Sequence, residues 1–483
     1  MKLAQIIENL TVVQAKACEN IEITGITCDS RKVEEGSIFV AIKGYETDGH
    51  RYIASAAEKG AACVICQEEP QTDIPYIIVE DSRKALSLAA AEFYGRPADN
   101  MKIIGVTGTN GKTTVTNLLK TVLEKAAGAK VGLIGTNGNM IGDEFIETER
   151  TTPEGDQLQE LFAKMRDAGC THVVMEVSSH ALYLGRVEGV KFAAAVFTNL
   201  TQDHLDFHRT MEEYFDAKAL LFEKCEKAVI NIDDEWGRKL AEKVSCEKIT
   251  YSSKDNSADY VAKNVKLLPD RVEFEALTLG GINRACVPIP GGFTVYNGLA
   301  AISCLCALGM ELETVCAALK TAHGVKGRME VVPGPENCTV IIDYAHTPDA
   351  LENVLRSLKG FAKGRVVCLF GCGGDRDKTK RPLMAEISVN LADFVIFTSD
   401  NPRTEEPMDI INDILAGAKG SKKPHKVICD RREAIRFAVE NAMEDDVILL
   451  AGKGHETYQI IGKTKTHLDE REEVAKVLAD MKK

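Results

Sequence analysis

No stretch of this 483-residue chain approaches the roughly 20 consecutive apolar residues that a helix needs to cross a bilayer, so no membrane partner is expected. The N-terminus, MKLAQIIENL, lacks a long apolar core with a small-residue cleavage site and carries Glu8 beside its early lysine. It does not read as a signal peptide, and the cytoplasm is the expected location. Cysteine is not scarce, at 15, but the number is odd, the positions are scattered, and no CxxC pair of the zinc-binding kind stands out. Buried, reduced thiols are expected instead of disulfides. Positive net charge is missing as well: 59 basic against 72 acidic side chains give −13, which argues against a nucleic-acid partner and still permits local basic pockets. Short repeats and low-complexity tracts are absent. What is present is a globular composition, 45% hydrophobic and 27% charged, in a chain too long for one core.

The pattern divides the chain into three. Residues 1–98 interleave strands expected at Val40–Ile42, Cys63–Cys66 and Tyr76–Val79 with Ala-rich helical stretches at Ile53–Lys59 and Lys84–Phe93. Gly95, Arg96 and Pro97 punctuate its end. Residues 99–327 alternate apolar runs (Val131–Ile134, Val173–Val177, Ala193–Phe197, Ala228–Ile232) with helices, as a largely parallel sheet requires. Residues 328–483 repeat the alternation with Val366–Phe370, Phe394–Thr398 and Val447–Leu450. The expected fold is α/β in three domains: a smaller N-terminal α/β domain, a central P-loop ATPase-like parallel sheet, and a C-terminal Rossmann-like doubly wound domain.

GVTGTNGKTT, Gly105–Thr114, follows the apolar Met101, Ile103 and Ile104 and precedes a helical stretch. A strand, a Gly-rich turn and a helix start aim backbone N–H groups and a helix dipole at polyphosphate oxygens. Lys112 would reach the β/γ-phosphates and Thr113 would hold Mg²⁺. The strict pattern GxxxxGK[ST] wants glycine where Val106 stands, but Gly108, Gly111, Lys112 and Thr113 keep the part that touches phosphate. An ordinary Gly-rich turn is the alternative.

Other constellations follow strand ends, where open α/β sheets place ligands. Glu176 ends VVMEV and is a candidate Mg²⁺ ligand; a solvated strand-end carboxylate is the bland reading. TNLTQDHLDFH, 198–208, supplies His204 and Asp206 as further candidates. Lys218 lies in the apolar YFDAKALLF, where desolvation would lower its pKa; a solvated helix lysine is the competing reading. GCGGDRDKTKR, SDNPRTEEP and AGKGHE each follow a strand of the third segment and should converge on one crevice. Arg376, Arg403 and Glu456 there suit a ligand with carboxylates and an amine, with a phosphate site as the rival.

GTNGKTT, EVSSHAL, NLTQDHLDFH, YFDAKALLF, DYAHTPDAL, GCGGDRD, DNPRTEEP and AGKGHE, in this order from residue 108 to 456, resemble the Mur ligase family of peptidoglycan synthesis. TTPE at 151–154, EVSSHAL and DNPR set the chain with the branch that adds the third amino acid, apart from folylpolyglutamate synthase. The resemblance implies an ATP- and Mg²⁺-dependent amide ligase acting on UDP-N-acetylmuramoyl-L-Ala-D-Glu, and a monomer. It implies that Gly108, Thr109, Asn110, Gly111, Lys112, Thr113 and Thr114 bind ATP, with Asn297 near adenine and Arg328 and Asp343 as further nucleotide contacts. Thr113 and Glu176 would hold one Mg²⁺ and His204 a second, and Lys218 would carry a CO₂-derived carbamate that serves as a metal ligand. Ser30, Thr151, Thr152, Ser178 and Arg186 match positions that hold the UDP-sugar dipeptide. Arg376, Asp400, Asn401, Pro402, Arg403, Gly452 and Glu456 match an acceptor site, and DNPR is similar to the pattern of members that add meso-2,6-diaminopimelate. Leu184 departs from members with a glutamine there and is left outside the site. Two rivals remain: the same ligase using L-lysine, and a nucleotide-switch binding protein.

Overall fold

The computed structural model describes residues 1–481 except 19, 45, 46, 149, 269 and 337, and all described side chains but that of Asp206. The N-terminal sheet runs Val12–Lys16, Tyr76–Val79, Cys63–Cys66, Ser37–Val40, Gly25–Thr27, parallel except for the first strand. The strand expected at Val40–Ile42 lies earlier, at Ser37–Val40, because all four of these residues are buried and pair with Gly25–Thr27 on one side and Cys63–Ile65 on the other. Ile42 instead accepts from the Gly49 amide at 2.8 Å as the chain turns away. Cys63 and Cys66 stand three apart on one strand, so their thiols enter different apolar clusters and form no joint site. All fifteen cysteines are free thiols.

The central sheet has 11 strands. Its parallel heart places Lys102–Thr107 between Ala194–Phe197 and His172–Glu176, with Val131–Gly135 beyond the latter. The chain therefore crosses over a neighbour on leaving Lys102–Thr107, which makes the C-terminal end of that strand a topological switch point. Both faces are apolar, as a parallel sheet covered by helices demands. Ile104, Val106, Val174 and Val196 pack on Val115, Leu118 and Val122 of the helix Lys112–Ala127. Ile103, Met175 and Phe197 meet Leu158, Phe162 and Met165 of Gly155–Asp167. Complete burial of each such side chain contributes about 1.5–3 kcal/mol. The sheet's two ends are antiparallel: Gly138–Ile141 and Glu144–Ile146 at one, Val272–Thr278 and Gly281–Val287 at the other.

The C-terminal sheet runs Glu330–Val332, Cys338–Asp343, Asp446–Ala451, Val366–Phe370, Phe394–Phe397, His425–Val427, parallel except for the first strand. Four of its strands end at Asp343, Phe370, Phe397 and Ala451, and the segments that follow share one end of the sheet. Among the described residues no helix is long and apolar enough to cross a membrane.

Candidate active site

The phosphate-type loop sits at the switch point and is held open by its glycines. Gly108 has φ +142°, and a Cβ there would lie 2.0 Å from Thr198 Oγ1. Gly111, which caps the helix Lys112–Ala127, has φ +88°, and its Cβ would lie 2.6 Å from Asn297 Oδ1. Neither position accepts a side chain, which keeps the loop backbone bare at the helix start. The Asn110 amide donates to Asn199 Oδ1 at 2.9 Å, and the Asn110 carbonyl accepts from Thr198 Oγ1 at 2.6 Å. Thr109 Oγ1 lies 3.3 Å from the Tyr214 hydroxyl, and Thr113 and Thr114 are buried at the helix start.

Two lysines meet behind this loop. Lys112 Nζ donates to Gly108 O at 2.9 Å and Thr109 O at 2.8 Å. Lys218 Nζ donates to the same Gly108 oxygen at 2.9 Å and stands 4.5 Å from the centre of the Tyr214 ring. Lys218 is 2% exposed, and no carboxylate among the described residues forms an ion pair with either lysine. Burial, joined by the charge of Lys112, pushes the Lys218 ammonium well below its ordinary range, and burial lowers Lys112 too. Neither ammonium has a carboxylate in direct contact among the described residues; Asp203, and Glu176 for Lys112, act against the burial only from a distance.

Glu176, 1% exposed, accepts from Thr136 N at 2.9 Å and Thr136 Oγ1 at 3.0 Å. A carboxylate has about four lone-pair sites, so room remains for a cation. His204 adopts a left-handed conformation, φ +53°, with Nε2 3.4 Å from Asp203 Oδ2 and its ring against His180. Burial opposes charge on Asp203, but His204, His346 and Lys112 hold its carboxyl below the usual range. No group of three or more His, Cys, Asp or Glu side chains converges at metal distance among the described residues. Thr113, Glu176, His204 and Lys218 therefore do not form a closed cage by themselves. The Asp206 side chain lies outside the described residues.

Asn297, Arg328 and Asp343 line one cavity of about 540 Å³ with Asn110, Gly111 and Thr114. Arg328 lies 4.8 Å from the Tyr344 ring centre, and its buried Nε has no hydrogen-bond partner among the described residues. Asp343 Oδ2 accepts from Met329 N at 2.7 Å, and burial raises its pKa against the pull of Arg328. The glycine cradle and the orphaned guanidinium nitrogen both fit a nucleotide polyphosphate.

A second cavity, about 920 Å³, lies between the N-terminal sheet and the central one and contains Ser30, Arg83, Arg150, Glu154 and Lys164. Thr151, Thr152, Ser178 and Arg186 are not on its wall; they bridge toward Glu176. Thr151 Oγ1 lies 3.0 Å from Thr136 Oγ1, while Thr152 Oγ1 donates to Glu176 O at 2.9 Å and accepts from Ser178 N at 3.2 Å. Arg186 pairs with Glu154 at 2.7 Å, and its buried Nε has no partner among the described residues.

A third cavity, about 720 Å³, joins two domains: His180, Asp203 and His204 face Arg376, Asp400, Asn401, Arg403, Gly452 and Glu456. The crevice expected from three separate loops is thus a single space. Asn401 Nδ2 donates to Glu456 Oε2 at 2.9 Å, and the wholly buried Lys453 Nζ reaches Asn401 Oδ1 at 3.2 Å and Glu456 at 3.1 Å. Burial works against charge on Asp400, but Lys453 and Arg431 hold it ionised; burial raises Glu456. Pro402 touches the cavity only through its neighbours, its carbonyl accepting from Glu405 N at 3.0 Å. Sequence reading missed Asp349, whose Oδ2 accepts from Asn110 Nδ2 at 2.7 Å and Thr201 Oγ1 at 3.1 Å, tying the C-terminal domain to the phosphate loop. It also missed Asp203 and Lys453, although both lie inside motifs it had singled out.

Family models match in three places: "Mur ligase family, catalytic domain" at 22–94, "Mur ligase middle domain" at 106–305, and "Mur ligase, glutamate ligase domain" at 327–454. Curated relatives include the UDP-N-acetylmuramoyl-L-alanyl-D-glutamate–2,6-diaminopimelate ligases of Clostridium botulinum and Bacillus cereus. The first is 48% identical over 467 residues, covering 95% of this chain and 96% of the relative; the second is 47% identical over 481, covering 98% and 97%. A solved structure of a ligase of the same name superposes with TM-score 0.73 at 34% identity, covering 100% of this chain and 99% of the other. These matches along the whole length place this chain in the Mur ligase family.

Proposed function

We propose that the protein is the ATP-dependent ligase that joins meso-2,6-diaminopimelate to the D-Glu γ-carboxylate of UDP-N-acetylmuramoyl-L-Ala-D-Glu in cytoplasmic peptidoglycan precursor synthesis. One observation carries the reading: the crevice of Arg376, Arg403 and Glu456 is continuous with Asp203 and His204 of the central domain, so an amine held by the C-terminal loops faces the nucleotide's domain. We assign residues 1–98 to the UDP-sugar end, 99–327 to ATP and 328–483 to the amino acid, acting within one monomer.

The carboxylate oxygen of the dipeptide attacks the γ-phosphorus of ATP, ADP leaves, and the resulting acyl phosphate is attacked by the acceptor amine nitrogen. Phosphate departs as the amide forms and the amine loses a proton. Lys112 and the loop amides neutralise two approaching anions, and Arg186 and Ser30 hold the sugar-nucleotide substrate in line. Glu176 and Thr113 would hold Mg²⁺, which would supply charge screening for phosphoryl transfer. Lys218, neutral through burial, would add to CO₂ with loss of a proton, and the carbamate would set a negative charge beside Lys112 and supply oxygen ligands for a metal ion. Arg376 and Arg403 bring two guanidiniums to the acceptor, which suits a second carboxylate that L-lysine lacks.

The test is phosphate release from ATP in the presence of UDP-N-acetylmuramoyl-L-Ala-D-Glu with diaminopimelate, L-lysine or no acceptor, with the product weighed by mass spectrometry. Tripeptide formed only with diaminopimelate is expected. Selective use of lysine would overturn the acceptor, and turnover without any amide would favour the nucleotide switch.

A further inference from the structure

We propose that Glu405, clamped by the buried Arg381, is a positioning residue that fixes where the Arg403 guanidinium meets the acceptor; this rests on the crevice being the amino-acid site. Arg381 is 0% exposed and lies in the first turn of Lys380–Leu391. Its Nη1 and Nη2 donate to the Glu405 carboxylate at 2.9 and 2.8 Å, Nη1 also reaches Asp413 at 2.8 Å, and Nη2 reaches Gly373 O at 3.3 Å. One guanidinium therefore grips both loops that carry the crevice's cations.

Glu405 completes the link. The same carboxylate accepts from the Asp375 amide at 2.7 Å and from Lys378 at 3.1 Å. Hydrogen bonding from Arg381 holds its carboxyl down at about 2, so the clamp stays charged at any working pH. A parallel strut lies beside it, Thr404 Oγ1 donating to Asp375 Oδ1 at 2.6 Å.

Gly374 N donates to Asn401 O at 2.9 Å, and Arg403 Nη1 donates to Gly374 O at 2.8 Å. The loops are in backbone contact there, since a Cβ on Gly374 would lie 1.9 Å from Pro402 O. Asp375 and Arg403 both take left-handed conformations, φ +52° in each case, which residues with a Cβ hold only where their surroundings impose them. The clamp supplies that imposition for Asp375, while Ile460 O and Gly462 N hold the Arg403 backbone at 3.1 and 2.7 Å; releasing Glu405 frees Asp375, then Gly374, then the Nη1 anchor of the Arg403 side chain. Bidentate recognition of a carboxylate depends on the placement of the guanidinium plane, so the loss falls on acceptor binding.

The experiment uses the full-length enzyme with Glu405→Ala, Glu405→Gln and Thr404→Val, and Arg403→Ala as reference. It measures kcat and separate KM values for diaminopimelate, ATP and the UDP-sugar dipeptide, and the preference for diaminopimelate over L-lysine. Glu405→Ala should raise the diaminopimelate KM about tenfold and blunt the preference, with the ATP and dipeptide KM values unchanged. Glu405→Gln should recover most of the affinity, because it still accepts from Arg381 and the Asp375 amide. Thr404→Val leaves Arg381 paired and should raise the same KM about threefold, which keeps the proposal testable where Glu405→Ala does not fold. A diaminopimelate KM within about twofold of wild type in the folded variants, beside a raised KM in Arg403→Ala, would overturn the clamp alone. Equal rises in all three KM values would make it merely structural. No change in Arg403→Ala itself would overturn the reading of the crevice, and the clamp with it.

Discussion

In the C-terminal domain the buried cations Arg381, Arg431 and Lys453 each meet a carboxylate, at 2.8, 2.8 and 3.1 Å. In the central domain Lys112 and Lys218 share a backbone oxygen. The contrast is not one of residue type or of domain, because Lys120, also buried in the central domain, pairs with Glu124 at 2.7 Å. A buried charge that is already paired holds structure, and removing one partner leaves an uncompensated ion. A buried charge left unpaired is destabilising until an anion arrives, and under the proposed function a bound polyphosphate and a carbamate on Lys218 would each be such an anion.

The sharpest way to break this comparison is to remove the unpaired charges. Lys112→Met and Lys218→Ala should each lower kcat by about 10³-fold or more in the tripeptide assay, whereas activity within tenfold of wild type would make the pair structural. The paired cations should behave in the opposite sense. Arg431→Met leaves Glu470 buried without its partner and should cost about 3–5 kcal/mol in denaturant unfolding, with the KM for ATP unchanged. Arg403→Ala, at the crevice surface between these extremes, should raise the diaminopimelate KM by about 10- to 100-fold and reduce discrimination against L-lysine.

Linkage gives a smaller and more diagnostic effect. A lysine whose folded pKa lies below its unfolded value of 10.5 binds fewer protons when folded over the window between the two. Stability contributed by this group therefore rises with pH through that window. Without CO₂ or nucleotide, Lys218→Met should raise Tm near pH 7 by about 2–4 °C, and the gain should shrink as pH approaches the unfolded pKa. The smallest effect is expected at Asp349: exchange for Ala removes the contacts to Asn110 and Thr201 and should raise the KM for ATP about threefold without altering acceptor choice.

Much of this was legible in the chain because apolar runs and glycine spacing are local signals. Cys63–Cys66 and Tyr76–Val79 lie where their short apolar runs put them. The three C-terminal loops were readable because each follows a strand, and strand ends of a doubly wound sheet share one side. The antiparallel strands Val272–Thr278 and Gly281–Val287 were not, since their partners are fixed by sheet-edge pairing instead of by the βα alternation. Ser37–Val40 was misplaced because the apolar run continues to Ile42, past the residues that pair, so the run alone does not mark the strand's bounds. Desolvation of Lys218 was legible from its apolar helix, but its sharing of Gly108 O with Lys112 was not, for that contact joins residues 110 apart in sequence. Asp349 and the Arg381–Glu405 clamp escaped for the same reason.

The most direct test of the unpaired-charge account is ¹³C NMR of the enzyme in ¹³C-bicarbonate, with Lys218→Ala as control. A carbamate resonance in the wild-type protein, absent from the variant and growing with ligase activity as bicarbonate is raised, is the predicted result. Full activity in CO₂-depleted buffer with no carbamate resonance would contradict it.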